Sequence, residues 1–270
     1  MSEAVETHYS SGRLEAAIDQ ALSMSGKDVE VLQPEDLSAF EDFHTLGRAA
    51  TIELAELARI GSGEHVLDVG SGIGGPARLL ARRFGAVVTG VDLTPEFCEV
   101  ANSLSRRTGL GQQTSFQVAD ALALPFPDEA FDVVWTQHVA MNIQDKTAFY
   151  TELRRVARTG GRLGLFDLVA GPVDEAHYPV PWATEASISF LEPATAIRDH
   201  LTTAGFEVTV WNDLSERAKE YFTTLTASPA TSSPLGPHLL IPDLVTKAGN
   251  VRRNLEEDRL ALVQFVARAT

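Results

Sequence analysis

Residues 66–75 read VLDVGSGIGG, and twenty residues past the middle glycine a second apolar run ends at Asp92 in GVDLTP. The apolar run around Asp68, followed by Gly70-Ser71-Gly72-Ile73-Gly74-Gly75, predicts a strand that stops in a tight turn, with a helix starting near Pro76. Glycine is needed where the backbone takes conformations closed to a residue with a Cβ, and where a ligand lies directly against the main chain. An acid at the end of the next strand then stands where it can bind a ribose.

A loop of this kind serves either a dinucleotide or S-adenosylmethionine. The dinucleotide form is G-x-G-x-x-G, with a pyrophosphate on the helix N-terminus. Here the glycines run G-x-G-x-G-G and fit that pattern loosely, because Gly75 lies three residues beyond Gly72. Asp68 favours the second cofactor: a carboxylate two residues before the first glycine repels a pyrophosphate and suits an ammonium or a sulfonium. A purely structural turn in another doubly wound fold is the third reading.

With 270 residues and 44% hydrophobic content, the chain can bury one large core with appended insertions. Its 22 Lys and Arg against 37 Asp and Glu give a formal charge of −15, which repels a nucleic-acid backbone or an anionic membrane. No nucleic-acid partner is therefore expected, and the basic clusters Arg78/Arg82/Arg83 and Arg252/Arg253 read as solvated helix faces. A single cysteine, Cys98, excludes an internal disulfide framework and a zinc cluster, and reads as a buried, inert thiol. The N-terminus lacks the basic start and apolar stretch of a signal peptide, and no apolar run reaches spanning length, so a cytoplasmic protein without membrane insertion is expected.

Strand-like runs near 65–69, 87–91, 114–118, 131–136, 161–169 and 206–212 alternate with helical patterns near 76–84, 95–108, 145–158 and 193–204. Helices over 214–228 and 241–256 precede a last apolar run, RLALVQFVAR, from Arg259 to Arg268. This alternation predicts a parallel sheet covered on both faces. Helical patterns before the first strand, LEAAIDQAL and LGRAATIELAELA, predict a cap, and the Pro-rich stretch 171–190 falls after a strand, where ligands sit.

VLDVGSGIGG, GVDLTPEF, VADALALPFPDEAFDVVW and a Gly160-Gly161-Arg162-Leu163 turn before the fifth strand resemble, in that order and spacing, the class I S-adenosylmethionine-dependent methyltransferases. The resemblance spans roughly residues 40 to 210. It is similar to the small-molecule branch, such as the sarcosine, dimethylglycine and quinone methyltransferases, and EDFHTLGR resembles a short segment of the sarcosine and dimethylglycine group. It implies an α/β, Rossmann-like doubly wound, mostly parallel seven-stranded sheet with an antiparallel last strand. A helical cap over 1–60 would precede a cofactor-binding domain over 61–270, with substrate-lid insertions near 171–192 and 214–256.

The resemblance also implies roles. Gly70, Ser71, Gly72 and the nearby backbone would approach the methionine part of S-adenosylmethionine, with Asp68 helping to hold its ammonium. Asp92 would accept from both ribose hydroxyls, because a carboxylate offers two oxygens in a fixed plane. Leu93 would lie against the adenine, Asp120 would accept from its amino group, and Ala121 would offer a backbone N–H; a turn cap is the lesser reading of Asp120. Gln137 and His138 follow the fourth strand, beside the expected sulfonium. Methyl transfer is an in-line displacement that needs alignment and exclusion of water, with a base where the acceptor carries a proton. His138 is the first candidate base and His44 the second. Tyr9, His177, Tyr178 and Trp182 are candidate substrate contacts.

No pair of acids follows the fourth strand, and Asp145 reads as a helix N-cap, so no metal is expected. These readings predict methyl transfer to nitrogen or oxygen of a small-molecule acceptor, with an amine preferred on the acidic charge and the EDFH segment. Carbon methylation of a quinone-like ring or natural product is an alternative, as is methylation of a natural-product hydroxyl. A nicotinamide-dependent oxidoreductase and a non-catalytic binding module are alternatives of another kind, and a homodimer is compatible with each.

Overall fold

The computed structural model describes residues 12–42, 44–173, 175–227 and 233–270. His65–Val69 forms β1, buried at its last four positions and paired in parallel with Val87–Asp92 (β2) and Phe131–Gln137 (β4). A central parallel strand is covered on both faces, so burial runs through successive positions without alternating, Asp68 included. Thr114–Val118 (β3) extends the sheet beyond β2, and Ala157–Ala170 (β5) lies beside β4. Leu260–Ala269 (β7) inserts antiparallel between β5 and Phe206–Asp213 (β6), giving the order β3-β2-β1-β4-β5-β7-β6. The seven strands and the antiparallel last one match the expected fold class.

In chain order the helices are Leu14–Met24 (α1), Pro34–Glu41 (α2), Gly47–Leu57 (α3), Gly75–Leu79 (α4), Pro95–Arg107 (α5), Lys146–Val156 (α6), Ala194–Ala204 (α7), Ser215–Ala227 (α8) and Leu244–Glu256 (α9). Asp145 caps α6 by accepting the Ala148 N–H at 2.8 Å, as its place in the sequence implies. Two local features differ from the sequence reading. The helix expected over 76–84 is α-helical only to Leu79 and widens into a π turn over Leu80–Phe84. The expected Gly160-Gly161 turn is a bulge inside β5: Phe131 pairs with Ala157 but Val133 pairs with Arg162, and Gly160 takes a φ of 77°.

Successive residues of β1 feed opposite faces of the sheet. Val66 joins Trp135, Phe166, Leu54 and Leu262 on one side, while Leu67 and Val69 join Phe149, Leu153, Leu165 and Phe265 on the other. A third cluster seats Leu14, Ile18 and Leu22 of α1 and Leu37 and Phe40 of α2 on Phe97, Val100 and Leu104 of α5. Strand order reverses between β1 and β4, which opens a crevice at their C-terminal ends. Among the described residues, no helix is long and apolar enough to cross a membrane.

Candidate active site

Gly70, Gly72 and Gly74 all take positive φ, at 74°, 52° and 83°, so the turn after β1 closes as the sequence requires. At Gly70 a Cβ would run into Val139, and at Gly75 it would lie 2.6 Å from the carbonyl oxygen of Glu41. The loop is thus packed against α2 on one side and the residues after β4 on the other. Asp92 ties the loop to the end of β2: the Gly72 N–H donates to one carboxylate oxygen and the Thr94 N–H to the other, each at 2.9 Å. Each oxygen keeps capacity to accept again. Burial pushes the Asp68 carboxyl up to about 8, and the neighbouring Asp92 charge adds to the effect.

At the end of β4, His138 takes a left-handed φ of 56°. The carbonyl of Phe166 accepts its backbone N–H at 2.8 Å and faces its Nδ1 at 3.2 Å. That contact makes Nδ1 the protonated nitrogen and leaves Nε2 as the acceptor. Nε2 receives the Thr45 hydroxyl at 3.0 Å and the Thr45 N–H at 3.3 Å. The His44 ring lies 6.0 Å away, its Nε2 3.0 Å from the Thr51 hydroxyl, which also reaches Gln137 Oε1 at 3.2 Å. Trp135 Nε1 donates to the same Gln137 oxygen at 3.0 Å. Burial keeps both rings neutral, lowering His44 and, with His44 beside it, taking His138 to about 3.

These groups open onto a cavity of about 1450 Å³. Asp68, the loop, Asp92, Leu93, Asp120 and Ala121 line one end, with Gln137, His138, His44 and Thr45 further in. Asp120 accepts the Leu122 N–H at 2.9 Å, so it caps a turn while its side chain stays exposed to the cavity. Trp182 is a wall, buried and held through its Nε1 to the Ser189 hydroxyl at 3.0 Å. Tyr221, Phe222, Ile241, Leu244, Ala248 and Val251 from α8, α9 and their connection complete an apolar side.

Two expected contacts lie elsewhere. His177 does not reach the cavity: its ring faces Glu257 at 2.8 Å, and its backbone N–H and carbonyl bind the Asn254 amide. Tyr178 packs against the core beside it, at the cis Tyr178–Pro179 bond. The reason is that the polar ends of this segment are used to anchor α9. Tyr9 lies outside the described residues.

The acids of EDFH are also committed. Glu41 receives Arg78 at 2.7 Å and Arg48 at 2.8 Å, and Asp42 receives Arg48 at 2.8 Å. Arg78, read from the sequence as part of a solvated face, is 1% exposed and ties α4 to α2. Sequence reasoning also missed Thr45, Thr51 and Asp167. Asp167 is a lone acid inside the apolar run LGLFDLVA, and such a buried carboxyl must have partners, which was the available signal. Cys98 is buried and its thiol is pushed up to about 12, which makes it inert.

Three buried polar atoms at the cavity, Asp68 Oδ2, Ser71 Oγ and Gln137 Nε2, have no protein hydrogen-bond partner. Leaving such an atom unsatisfied costs about 1–3 kcal/mol, so the three mark where polar groups of a ligand belong. A buried carboxylate suits an ammonium, and an amide N–H suits a carboxylate, which together are the two ends of an amino acid. With Asp92 placed for a ribose, the donor set fits S-adenosylmethionine better than a dinucleotide.

Sheet order, glycine turn and ligand-sized crevice define a nucleotide-cofactor enzyme of the doubly wound α/β class. A family model described as a methyltransferase domain matches residues 67–165. Methyltransferase GfsG of Streptomyces halstedii is 33% identical over 190 residues, covering 68% of this chain and 67% of the relative. O-methyltransferase cnsE of Penicillium expansum is 32% identical over 202 residues, covering 74% and 73%. The chain belongs to the S-adenosylmethionine-dependent methyltransferases that act on small molecules. The crystal structure of geranyl diphosphate C-methyltransferase from Streptomyces coelicolor shares the fold, with a TM-score of 0.71 at 16% identity over 100% of this chain and 98% of that one. Relatives matching over shorter stretches are named for transfer to oxygen, nitrogen and carbon.

Proposed function

We propose that the enzyme transfers the methyl group of S-adenosylmethionine to a hydroxyl oxygen on a bulky, largely apolar acceptor. The observation that carries this reading is the cavity. Pockets for drug-sized ligands run from about 300 to 1,000 Å³, so about 1450 Å³ holds the cofactor and a second large molecule. Its walls beyond the cofactor end are Met141, Trp182, Tyr221, Phe222 and the apolar faces of α8 and α9. In this reading the 171–192 and 214–256 insertions select the acceptor, the N-terminal segment caps the site, and Asp68, Asp92 and Gln137 hold the cofactor.

The chemistry of His138 favours oxygen over the amine suggested by EDFH. An ammonium acceptor titrates near about 10 and must lose its proton before it can attack, which a ring held near 3 cannot bring about. A neutral hydroxyl would attack the methyl carbon as its bond to sulfur breaks, releasing S-adenosylhomocysteine and leaving an oxonium, a strong acid that even a weak base deprotonates. His138 Nε2 then needs only to accept the hydroxyl hydrogen bond, align the oxygen and take the proton late. Glu41 and Asp42 are paired with Arg78 and Arg48, which offsets much of their pull on a cationic substrate. The name of the cnsE relative points the same way.

The test is methyl-labelled S-adenosylmethionine with a panel of polycyclic and macrocyclic alcohols, phenols, prenylated quinols and small amines. Label in a methyl ether of a bulky acceptor is the expected result. Label only in a small amine, or on a ring carbon, overturns the assignment.

A further inference from the structure

Between the cavity and the back of the sheet sits a carboxyl group that the reaction does not touch. Asp167 lies on β5, 1% exposed, and one of its oxygens accepts the Ala140 N–H at 2.7 Å and the Val139 N–H at 3.3 Å. The other accepts the Leu168 N–H at 2.9 Å. Its neighbour Phe166 supplies the carbonyl that faces both the backbone N–H and Nδ1 of His138. Two consecutive residues of β5 therefore grip three consecutive residues after β4. The middle one, Val139, packs on Gly70 of the cofactor loop.

We propose that Asp167 is a positioning residue for methyl transfer, clamping the 138–140 turn so that His138 presents a single tautomer to the acceptor and Val139 stays seated on the cofactor loop. The proposal rests on the reading of His138 given above. A left-handed backbone at a non-glycine residue such as His138 is strained and persists only where its surroundings hold it. The carboxylate supplies that hold through charge-assisted hydrogen bonds to N–H groups that would otherwise be buried and orphaned. Such supporting partners commonly change activity about 10–100-fold without touching the substrate, because they fix the tautomer and ring orientation of the group that does.

Lys146 and Tyr150 of α6 and Glu192 before α7 face Asp167, with His200 of α7 paired to Glu192 at 2.9 Å. Lys146 donates to the carbonyls of Ile143 and Phe190 and favours the ionised carboxylate, while burial outweighs it and brings Asp167 up to about 7. The clamp is thus strongest above neutral pH.

The test is Asp167→Asn in the full chain, with three readouts. Turnover on the accepted substrate is expected to fall about tenfold or more with KM within about threefold. Imidazole ¹⁵N spectra are expected to show one Nδ1–H tautomer of His138 in the parent and a mixture in the variant. Affinity for S-adenosylhomocysteine is expected to weaken measurably as Val139 leaves Gly70. Parental turnover with a single tautomer retained overturns the proposal. The spectra and the binding measurement need no acceptor, so they judge the clamp even where the hydroxyl assignment fails. Should the variant not fold, the parent provides the second measurement: its His138 spectrum is expected to change from one tautomer at pH 8.5 to a mixture near pH 6. A tautomer mixture already present at pH 8.5, where the carboxylate is ionised, overturns the clamp.

Discussion

Thr45 holds His138 from across the cavity, its hydroxyl 3.0 Å and its backbone N–H 3.3 Å from the same Nε2. The two residues come from segments 93 positions apart, the N-terminal helices and the end of β4. An acceptor hydroxyl that hydrogen-bonds to Nε2 takes the place of the threonine hydroxyl. Replacing His138 by alanine should therefore leave S-adenosylhomocysteine affinity within about twofold and lower kcat roughly a hundredfold. Stopped assays with labelled cofactor check it, and unchanged kcat would transfer the role to His44.

Asp92 combines a structural and a ligand role, because its oxygens hold the Gly72 and Thr94 N–H groups and face the cavity. Asp92→Ala should weaken S-adenosylhomocysteine binding by roughly 1.5–3 kcal/mol, the scale of a charge-assisted hydrogen-bond loss. Calorimetric titration measures this directly. Equal affinity in both proteins would remove Asp92 from the ribose.

Asp68 should make cofactor binding pH-dependent with a definite sign. Its carboxyl titrates at about 8 in the free protein, and an ammonium beside it favours the ionised form. Binding at neutral pH should release a proton, and affinity should rise as the pH is raised from 6 toward 8. Titrations in buffers of different protonation enthalpy count the protons. Asp68→Asn should abolish the pH dependence; a variant that keeps it contradicts the assignment.

Stability of the ligand-free protein should move the other way. Asp68 and Asp167 hold protons in the folded chain up to about 8 and about 7 that the unfolded chain has released, so their stabilisation is lost as pH rises through those values. His44 and His138 are lowered below the ordinary value of 6.5 and penalise folding only below it. From these groups a fall in Tm between about pH 6.5 and 8.5 is expected, flattened by S-adenosylhomocysteine. Differential scanning fluorimetry across that range decides, and a rising Tm would contradict the two raised carboxyl groups.

Glu41→Gln should destabilise the fold by about 3–5 kcal/mol, because it leaves the buried Arg78 guanidinium without its countercharge. Urea unfolding measures the loss. Combining it with Arg78→Met should restore much of it, and full additivity of the two losses would deny that the pair is coupled.

Much of this molecule is legible in one dimension where the cause is local. The glycine turn requires positive φ, Asp92 ends a strand, and Gln137 and His138 follow an apolar run, so all fall at the crevice without knowledge of long-range contacts. Asp167 was not legible as a functional group because its partners are main-chain N–H groups 27 and 28 residues away, which have no letter in the sequence. Arg78 read as a surface charge because its buried partner, Glu41, lies 37 residues earlier on another helix. His177 fell in a ligand-bearing loop, but loop position does not fix direction, and its ring turns toward Glu257 eighty residues later.

Val139 against Gly70 leaves no slack between the strand ends that carry the donor and those that carry His138. A change in either segment displaces the other, so the two can vary only together. Tyr221, Phe222, Ala248 and Val251 lie on helices outside this joint. Substitutions in α8 and α9 can therefore redraw the far wall of the cavity without disturbing that joint.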